Sequence, residues 1–209
     1  AYLFRGVELR WKCAASLIHD DTPESATLHF PGGLEDFLTE QLDGRQTVTA
    51  NAFTGRVSLG ERKGSIEWAV AWPSEDVDGF LNSYCNTVPT PEGGTHEAGL
   101  RAGLTRSLKA HGELTGNRRA AQITAEDVLG GSFALLSIFI PEPQFQGQTK
   151  ERLASPEATR IVETAIKDHC DHWLSGDPAA ANTLLGRVIE RAEDRIRRRQ
   201  EKEVGRKSA

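Results

Sequence analysis

Lys150 stands in a segment whose residue types are typical of contact with an anion. The stretch QGQTK at 146–150 follows a strongly hydrophobic run at 132–140. A lysine ammonium is a compact positive charge that binds phosphate well, and Gln148 adds amide donors beside it. Gly147 allows the backbone to come close to a ligand. The alternative is a solvated glutamine and lysine on a surface turn, because most charged side chains are simply exposed.

The segment GGTHEAG at 93–99 is a second candidate for anion binding. Two glycines precede a predicted helix, and the N-terminal N–H groups of a helix attract negative charge. The segment lacks the lysine and the spacing of a phosphate-binding P-loop, and it does not match the dinucleotide-binding fingerprint. A glycine-rich helix start, with Thr95 as the N-cap residue, is the alternative interpretation.

Basic side chains on two predicted helices could contact the phosphates of DNA. Arg101, Arg106 and Lys109 lie on the helix that follows the glycines. The stretch 191–207 is also basic, through Arg195, Arg197, Arg198, Arg199, Lys202, Arg206 and Lys207. Interspersed acidic residues favour the alternative of solvated helices with internal ion pairs. The net charge of −5 also argues against strong nucleic-acid binding by the chain alone.

The sequence DHCDHW at 168–173 contains possible zinc ligands. Successive helical residues point about 100° apart, so Cys170 faces away from His169. Structural zinc sites need four ligands and usually contain more cysteine. We therefore predict no metal site and expect His169 to pack near Trp173. The sequence also shows no Ser-His-Asp order, paired acid–base motif or nucleophilic cysteine.

The composition is that of an ordinary globular protein with a sizeable core, 209 residues of which 38% are hydrophobic and 26% charged. No apolar run approaches the roughly 18 residues that span a bilayer, and residues 1–13 lack the apolar region of a signal peptide. Three widely spaced cysteines indicate a reduced, cytoplasmic protein. Methionine is absent, and we expect the chain to be part of a larger protein.

Alternation and helical spacing predict the elements that position these residues. Strands are predicted at 4–13, 26–30, 65–72, 80–88 and 132–140, and helices at 34–42, within 90–113, at 124–129, from 156 to 176 and from 177 onward. The strands at 65–72 and 80–88 should pair as a hairpin through the turn at Asp78-Gly79. The pattern predicts an α+β fold, a mixed sheet covered by helices and followed by a long helix that leaves the globule.

The segments 83–113 and 141–153 resemble the B subunits of bacterial type IIA DNA topoisomerases. The resemblance rests on Asn86-Thr87, on EGGTH at 92–96 and on Gln148-Thr149-Lys150, and it covers essentially the whole chain in collinear order. Three further segments look like the topoisomerase IV branch rather than the gyrase branch, namely 4–13, 29–42 and 188–209.

This resemblance implies a transducer domain at 1–175 with the ribosomal protein S5 domain 2-like α+β sandwich, and a long helix at 176–209 leading towards a TOPRIM domain. The GHKL ATPase domain and the TOPRIM domain are expected outside this chain. ATP and Mg²⁺ are the implied cofactors of the full subunit, with the Mg²⁺ ligands outside this chain. The implied partners are DNA, these two domains, a second B subunit and the topoisomerase A subunit, which carries the cleaving tyrosine.

In this family the QTK loop reaches ATP bound in the neighbouring ATPase domain. Carried over, Lys150 is the catalytic residue that contacts the γ-phosphate, Gln148 binds ATP beside it, and Thr149 has no assigned role. Arg101, Arg106 and Lys109 are candidates for DNA binding, from charge and family geometry. The alternatives are a stand-alone nucleic-acid-binding module that uses the basic C-terminal helix, the equivalent domain of the gyrase B subunit, and a small ATPase with a pocket of its own.

Overall fold

The computed structural model describes residues 1–61 and 63–207. Its strands are β1 (Glu8–Lys12), β2 (Ser25–His29), β3 (Phe53–Ser58), β4 (Ser65–Ala71), β5 (Phe80–Cys85), β6 (Val88–Pro89), β7 (Phe133–Phe139), β8 (Phe145–Gln146) and β9 (Arg152–Leu153). Its α-helices are α1 (Leu34–Leu42), α2 (Thr95–Leu114), α3 (Ala125–Leu129), α4 (Pro156–Gly176) and α5 (Pro178–Lys207). Two short 3-10 helices lie at Ala15–Leu17 and Arg118–Gln122.

The main sheet has five strands in the order β3-β4-β7-β5-β6. β5 and β7 run parallel, and the other neighbouring pairs are antiparallel. β7 lies in the middle because it is the most hydrophobic strand, and both Leu135 and Leu136, on opposite faces, are fully buried. The predicted mixed sheet and the α+β class are confirmed.

Helices cover both faces of this sheet. α2 and α4 pack on one face, where the predicted spacing is confirmed by three buried leucines, Leu100, Leu104 and Leu108. α1 covers the other face, and its Leu34 and Leu38 are buried there. The loops that join the strands therefore lie at the ends of a sheet that is covered by helices on both faces.

The predicted pairing of β4 with β5 is wrong, because β7 lies between them. Gly79 has no positive φ. Its backbone lies against that of Ser132, and a Cβ at Gly79 would come within 2.4 Å of the Ser132 carbonyl oxygen. The tight hairpin joins β5 to β6 instead, through Asn86 and Thr87 at φ 49° and 68°. Positive φ at both central residues is the signature of the hairpin turn that matches strand twist.

β1 and β2 form a separate antiparallel hairpin. Within the described residues these two strands pair only with each other. Leu9 and Trp11 follow the predicted alternation, yet both are about half exposed. The salt bridge from Arg5 Nε to Glu67 Oε1, 3.0 Å long, attaches the chain before the hairpin to β4. The hairpin therefore lies outside the main hydrophobic core.

α5 begins at Pro178, as predicted. The carboxylate of Asp177 accepts a hydrogen bond of 3.0 Å from the backbone N–H of Ala180, which satisfies one free donor of the helix start. The apolar face of the helix is buried as far as Ala192, whereas residues 197–204 are exposed. The long helix thus extends beyond the globule, as its sequence pattern predicts.

A partly buried ion pair joins α5 to α3. Arg195 Nε and Nη2 donate to the two carboxylate oxygens of Asp127, each at 2.9 Å, and Nη2 also reaches the carbonyl oxygen of Gln122. Burial opposes ionisation of Asp127, but hydrogen bonds from Arg195 and Thr124 outweigh it and lower the pKa of the carboxyl group. Arg195, one of the candidates for contact with DNA phosphates, is therefore paired with a carboxylate of its own chain.

We expect Asp127→Ala to lower the free energy of unfolding by about 3 kcal/mol, because it leaves Arg195 without its carboxylate and removes the carboxylate half of the capping box at Thr124. Urea unfolding measures this change. Glu193→Ala is the matched control, since it breaks only the exposed ion pair with Arg119 and should cost about 0.5 kcal/mol or less. Equal losses for the two variants would contradict the anchoring role of Asp127.

Candidate functional site

Lys150 lies in the loop of a small hairpin formed by β8 and β9. The side chains of Gln148, Thr149 and Lys150 are all exposed. Gly147 and Lys150 have φ angles of 79° and 58°, and the left-handed region is uncommon for a lysine. The Lys150 ammonium lies 6.0 Å from the centre of the Phe145 ring, and none of the described residues forms a salt bridge with it. The loop thus presents an uncompensated positive charge to its surroundings.

The base of this loop is hydrogen-bonded to the glycine segment that precedes α2. Glu92 N–H donates to the carbonyl of Glu151, and Leu153 N–H donates to the carbonyl of Gly93, both at 3.0 Å. Gly94 pairs with Leu153 so closely that a Cβ there would lie 2.2 Å from the Leu153 oxygen. The two segments that the sequence marks separately as anion-binding candidates are therefore neighbours.

The side chain of Asn86 fixes the segment that leads into the loop. Its amide donates to the carbonyl of Ile140 at 2.9 Å and accepts from the Ile140 N–H at 3.0 Å. Ile140 directly follows β7, so the amide extends the sheet by one pair of hydrogen bonds where no strand residue is present. The β8–β9 hairpin is consequently tied to the sheet before β8 and to the glycine segment at β9.

The start of α2 is not an open anion site. Its N-cap position is Gly94 at φ 140°, and Thr95 is the first helical residue, so the prediction of Thr95 as N-cap is wrong. A φ of 140° is accessible to glycine and rarely to threonine. The Glu97 carboxylate lies beside Gly93, where a Cβ would come within 2.6 Å of Oε2. A negative charge of the chain itself therefore occupies the helix start.

A chain of buried hydrogen bonds runs beneath the glycine segment. His96 is fully buried, and its Nε2 lies 3.0 Å from Thr90 Oγ1, which in turn lies 2.6 Å from Ser83 Oγ. Ser83 donates to Glu97 Oε1 at 2.7 Å. Because Ser83 donates to the carboxylate, its oxygen can accept from Thr90, and Thr90 can then accept from the Nε2–H of His96. When the Thr90 hydroxyl donates to Ser83 Oγ, the donors run from His96 to Glu97; the Ser83 carbonyl, 2.9 Å from Thr90 Oγ1, is the other acceptor for that proton.

Burial lowers the pKa of His96 to about 4, so the imidazole is neutral at physiological pH. Its other ring nitrogen, Nδ1, is buried without a hydrogen-bond partner among the described residues. No sequence pattern predicts this cluster. The only local signal was a histidine and a glutamate side by side at a helix start, and the pairing with Thr90 and Ser83 depends on how the strand and helix meet.

The three DNA-binding candidates lie along α2, and they differ in their pairing. Arg101 Nη2 lies 3.6 Å from Glu97 Oε2, and Arg106 forms an ion pair with Glu163 of α4. Lys109 is half-buried, and no ion pair joins it to any of the described residues. On α5, Arg197 is paired with Asp194 at 2.8 Å. Arg101 and Arg197 thus form ion pairs within their own helices, as the alternative interpretation predicts.

A groove of about 800 Å³ lies beside the exposed end of α5, with acidic and basic walls that include Asp76, Asp127, Arg191, Arg198 and Arg199. Among the described residues that line it, only Val77 has an apolar side chain. A site for a nucleotide base generally offers an apolar or aromatic wall. The groove therefore gives no support to the alternative of a small ATPase with its own pocket.

His169 packs edge-on against Trp68, with ring centres 5.0 Å apart, and its Nδ1 lies 2.9 Å from the carbonyl of Ala165. Phe53 contacts both Trp68 and Trp173, so His169 and Trp173 belong to the same aromatic cluster. No three His, Cys, Asp or Glu side chains in the described part of the chain form a metal-binding group. None of the described helices has the length and apolarity to cross a membrane.

Two solved structures share this fold. A topoisomerase IV ATP-binding domain of Francisella tularensis, in complex with a small-molecule inhibitor, aligns with a TM-score of 0.77 and 29% identity over 93% of this chain and 50% of that chain. The 43K ATPase domain of Thermus thermophilus gyrase B shares the fold, with a TM-score of 0.78 and 24% identity over 98% of this chain and 53% of that chain.

The model of the family described as DNA gyrase B matches residues 33–204, and the chain belongs to this family. The B subunit of DNA topoisomerase 4 from Caulobacter vibrioides is 55% identical over the whole chain, and that from Bartonella bacilliformis is 51% identical. The chain spans about 30% of the length of these curated relatives. The resemblance to the B subunits of type IIA topoisomerases is confirmed.

Proposed function

We propose that this chain is the transducer region of the B subunit of an ATP-dependent type II DNA topoisomerase, of the topoisomerase IV kind. Residues 1–175 form the transducer domain, and the segment 176–209, of which 208 and 209 lie outside the described residues, leads towards a TOPRIM domain. One observation carries the proposal: Lys150 stands exposed, without an anionic partner in the described chain, on a loop that is hydrogen-bonded at its base to the sheet and to α2. The relatives at 55% and 51% identity support the topoisomerase IV assignment.

In this proposal Lys150 senses the γ-phosphate of ATP that is bound by a neighbouring ATPase domain. ATP supplies the phosphate whose hydrolysis removes the contact, and Mg²⁺ is held by residues of that other domain. The ammonium forms a charge-assisted hydrogen bond, and the Gln148 amide can donate beside it. A contact that exists in only one nucleotide state shifts the equilibrium between conformations, which is what a switch requires.

The movement of the loop would pass to α2 and to the sheet, because the loop is bonded to Gly93 on one side and to Asn86 through Ile140 on the other. α5 would then carry the movement away from the globule. The part of α5 up to Arg195 is fixed to the globule by the ion pair of Arg195 and by the buried apolar face, while residues 197–204 are exposed. Rigid elements with fixed attachments transmit a displacement better than loops do.

DNA is the proposed partner of the outer side of α2, where Arg101, Arg106 and Lys109 would meet the phosphates of the transported duplex. Arg101 and Arg106 are each paired with a carboxylate, so a phosphate must compete with Glu97 or Glu163 for them. The proposed partners also include a second B subunit and the topoisomerase A subunit. The proposed location is the cytoplasm.

We expect this chain alone to bind no ATP analogue, since Lys150 and Gln148 offer only one side of a nucleotide site. The same chain joined to the preceding part of its B subunit should bind the analogue. Isothermal titration calorimetry with a non-hydrolysable ATP analogue measures both. Binding by the chain alone would contradict the transducer assignment and favour an ATPase with its own pocket. Salt-sensitive DNA binding by the chain alone, without nucleotide binding in the joined protein, would favour a nucleic-acid-binding module.

A further inference from the structure

Glu97 occupies a junction between the loop that carries Lys150 and the surface of α2. One carboxylate oxygen, Oε1, accepts the hydrogen bond of Ser83 at 2.7 Å. The other, Oε2, lies 3.6 Å from Arg101 and beside Gly93, whose carbonyl accepts from Leu153. The Glu97 side chain is largely buried, whereas the Arg101 side chain is 42% exposed. A single carboxylate thus touches the support of the loop and a surface cation.

We propose that Glu97 is a positioning residue that couples the Lys150 loop to DNA through its ion pair with Arg101. The inference rests on the proposed function, in which Lys150 contacts ATP and Arg101 meets DNA. A DNA phosphate competes with Glu97 for the Arg101 guanidinium, because both anions bind the same donors. When a DNA phosphate draws the Arg101 guanidinium away, Glu97 loses its ion pair. This loss alters the contact of Glu97 with Gly93 and, through Gly93, the hydrogen bond to Leu153 of β9.

The buried hydrogen-bond chain explains why this carboxylate can act as a junction. Ser83 belongs to β5, and the chain through Thr90 to His96 holds both ends of the glycine segment against the sheet. Burial makes each of these bonds costly to break, so the segment has few alternative positions. Coupling between two ligands is reciprocal in binding free energy, so DNA must change the affinity for ATP by the same factor as ATP changes the affinity for DNA.

The test is ATP turnover of the full-length B subunit with its A subunit, measured with and without duplex DNA. In the wild type, DNA should raise turnover. In Glu97→Gln the amide still accepts from Ser83 but no longer pairs with Arg101, and the ratio of the two rates should fall about fivefold or more. A defect that only loosens the structure lowers both rates together and leaves the ratio unchanged.

Glu163→Gln is the matched control, because it removes the same charge from the partner of Arg106, a second arginine of α2, without a hydrogen bond to the glycine segment. It should keep the wild-type ratio. Ser83→Ala is a second variant that breaks the hydrogen bond to Glu97 without changing any charge, and it should lower the ratio in the same direction.

A wild-type ratio near one, an unchanged ratio in both Glu97→Gln and Ser83→Ala, or an equal fall in Glu163→Gln would each overturn the inference. Lys150→Ala in the same series separates this failure from failure of the proposed function. If Lys150→Ala abolishes turnover while Glu97→Gln and Ser83→Ala keep the wild-type ratio, only the coupling role of Glu97 is lost. If Lys150→Ala turns over ATP at the wild-type rate, the proposed function itself fails.

Discussion

ATP turnover of a full-length B subunit should fall about 100-fold when Lys150 is replaced by alanine, because a charge-assisted contact to a reacting phosphate is worth about 3 kcal/mol. The loss follows from the geometry of the loop. Lys150 is exposed and makes no salt bridge with the described residues, so its truncation leaves no buried group unpaired. The thermal unfolding midpoint should therefore stay close to that of the wild type, while steady-state ATP hydrolysis is nearly abolished.

Lys63→Ala is a matched control for this substitution, because Lys63 is an exposed lysine in the turn between β3 and β4. It should leave turnover at the wild-type rate. Gln148→Ala should have an intermediate effect of about tenfold, since a neutral donor contributes roughly half as much as a charged one. Wild-type turnover in Lys150→Ala, or an equal loss in Lys63→Ala, would contradict a specific contact between Lys150 and the nucleotide.

The buried imidazole of His96 should make the stability of the domain depend on pH. Burial lowers its folded-state pKa to about 4 from the ordinary value of 6.5, so between these values the unfolded chain binds more protons than the folded chain. The contribution of the neutral His96 side chain to the unfolding free energy is fully present above the ordinary pKa of 6.5, and it is lost as the pH falls towards the folded-state pKa of about 4. A change from about pH 7 to about pH 5 should cost about 2 kcal/mol of unfolding free energy.

Urea unfolding of the wild type and of His96→Gln at both pH values measures this effect. Glutamine cannot titrate, and its amide can still donate to Thr90, so the variant should lose the histidine component of the pH dependence. The comparison uses the difference between pH values within each protein, so a general loss of stability in the variant cancels. An identical pH dependence in both proteins would show that His96 is not buried as a neutral group.

Much of the fold could be predicted from local patterns. The spacing of Leu100, Leu104 and Leu108 predicts the buried face of α2, and the hydrophobic run at 132–140 predicts the central strand β7. These features depend on residues close together in the chain, for which periodicity is informative. The predicted strand order is wrong because β7 enters between β4 and β5 from a distant part of the chain, and no local pattern records that pairing.

The candidate site shows the same limit. The residue types around Gly147 and Lys150 indicate an exposed loop that could bind an anion. The loop is exposed in the structure. The support of the loop could not be predicted, because Gly93 and Leu153 meet only through the packing of α2 and α4 against the sheet. The prediction for Thr95 fails for a related reason, since the φ of 140° at Gly94 moves the helix start by one residue.

The most direct measurement of the central claim is the affinity of the full-length B subunit for a non-hydrolysable ATP analogue and for ADP, with Lys150 intact or replaced by alanine. If Lys150 senses the γ-phosphate, Lys150→Ala should weaken binding of the analogue about 100-fold and leave ADP binding unchanged, because ADP lacks the phosphate that the ammonium contacts. Equal weakening of both nucleotides, or unchanged binding of the analogue, would contradict the account.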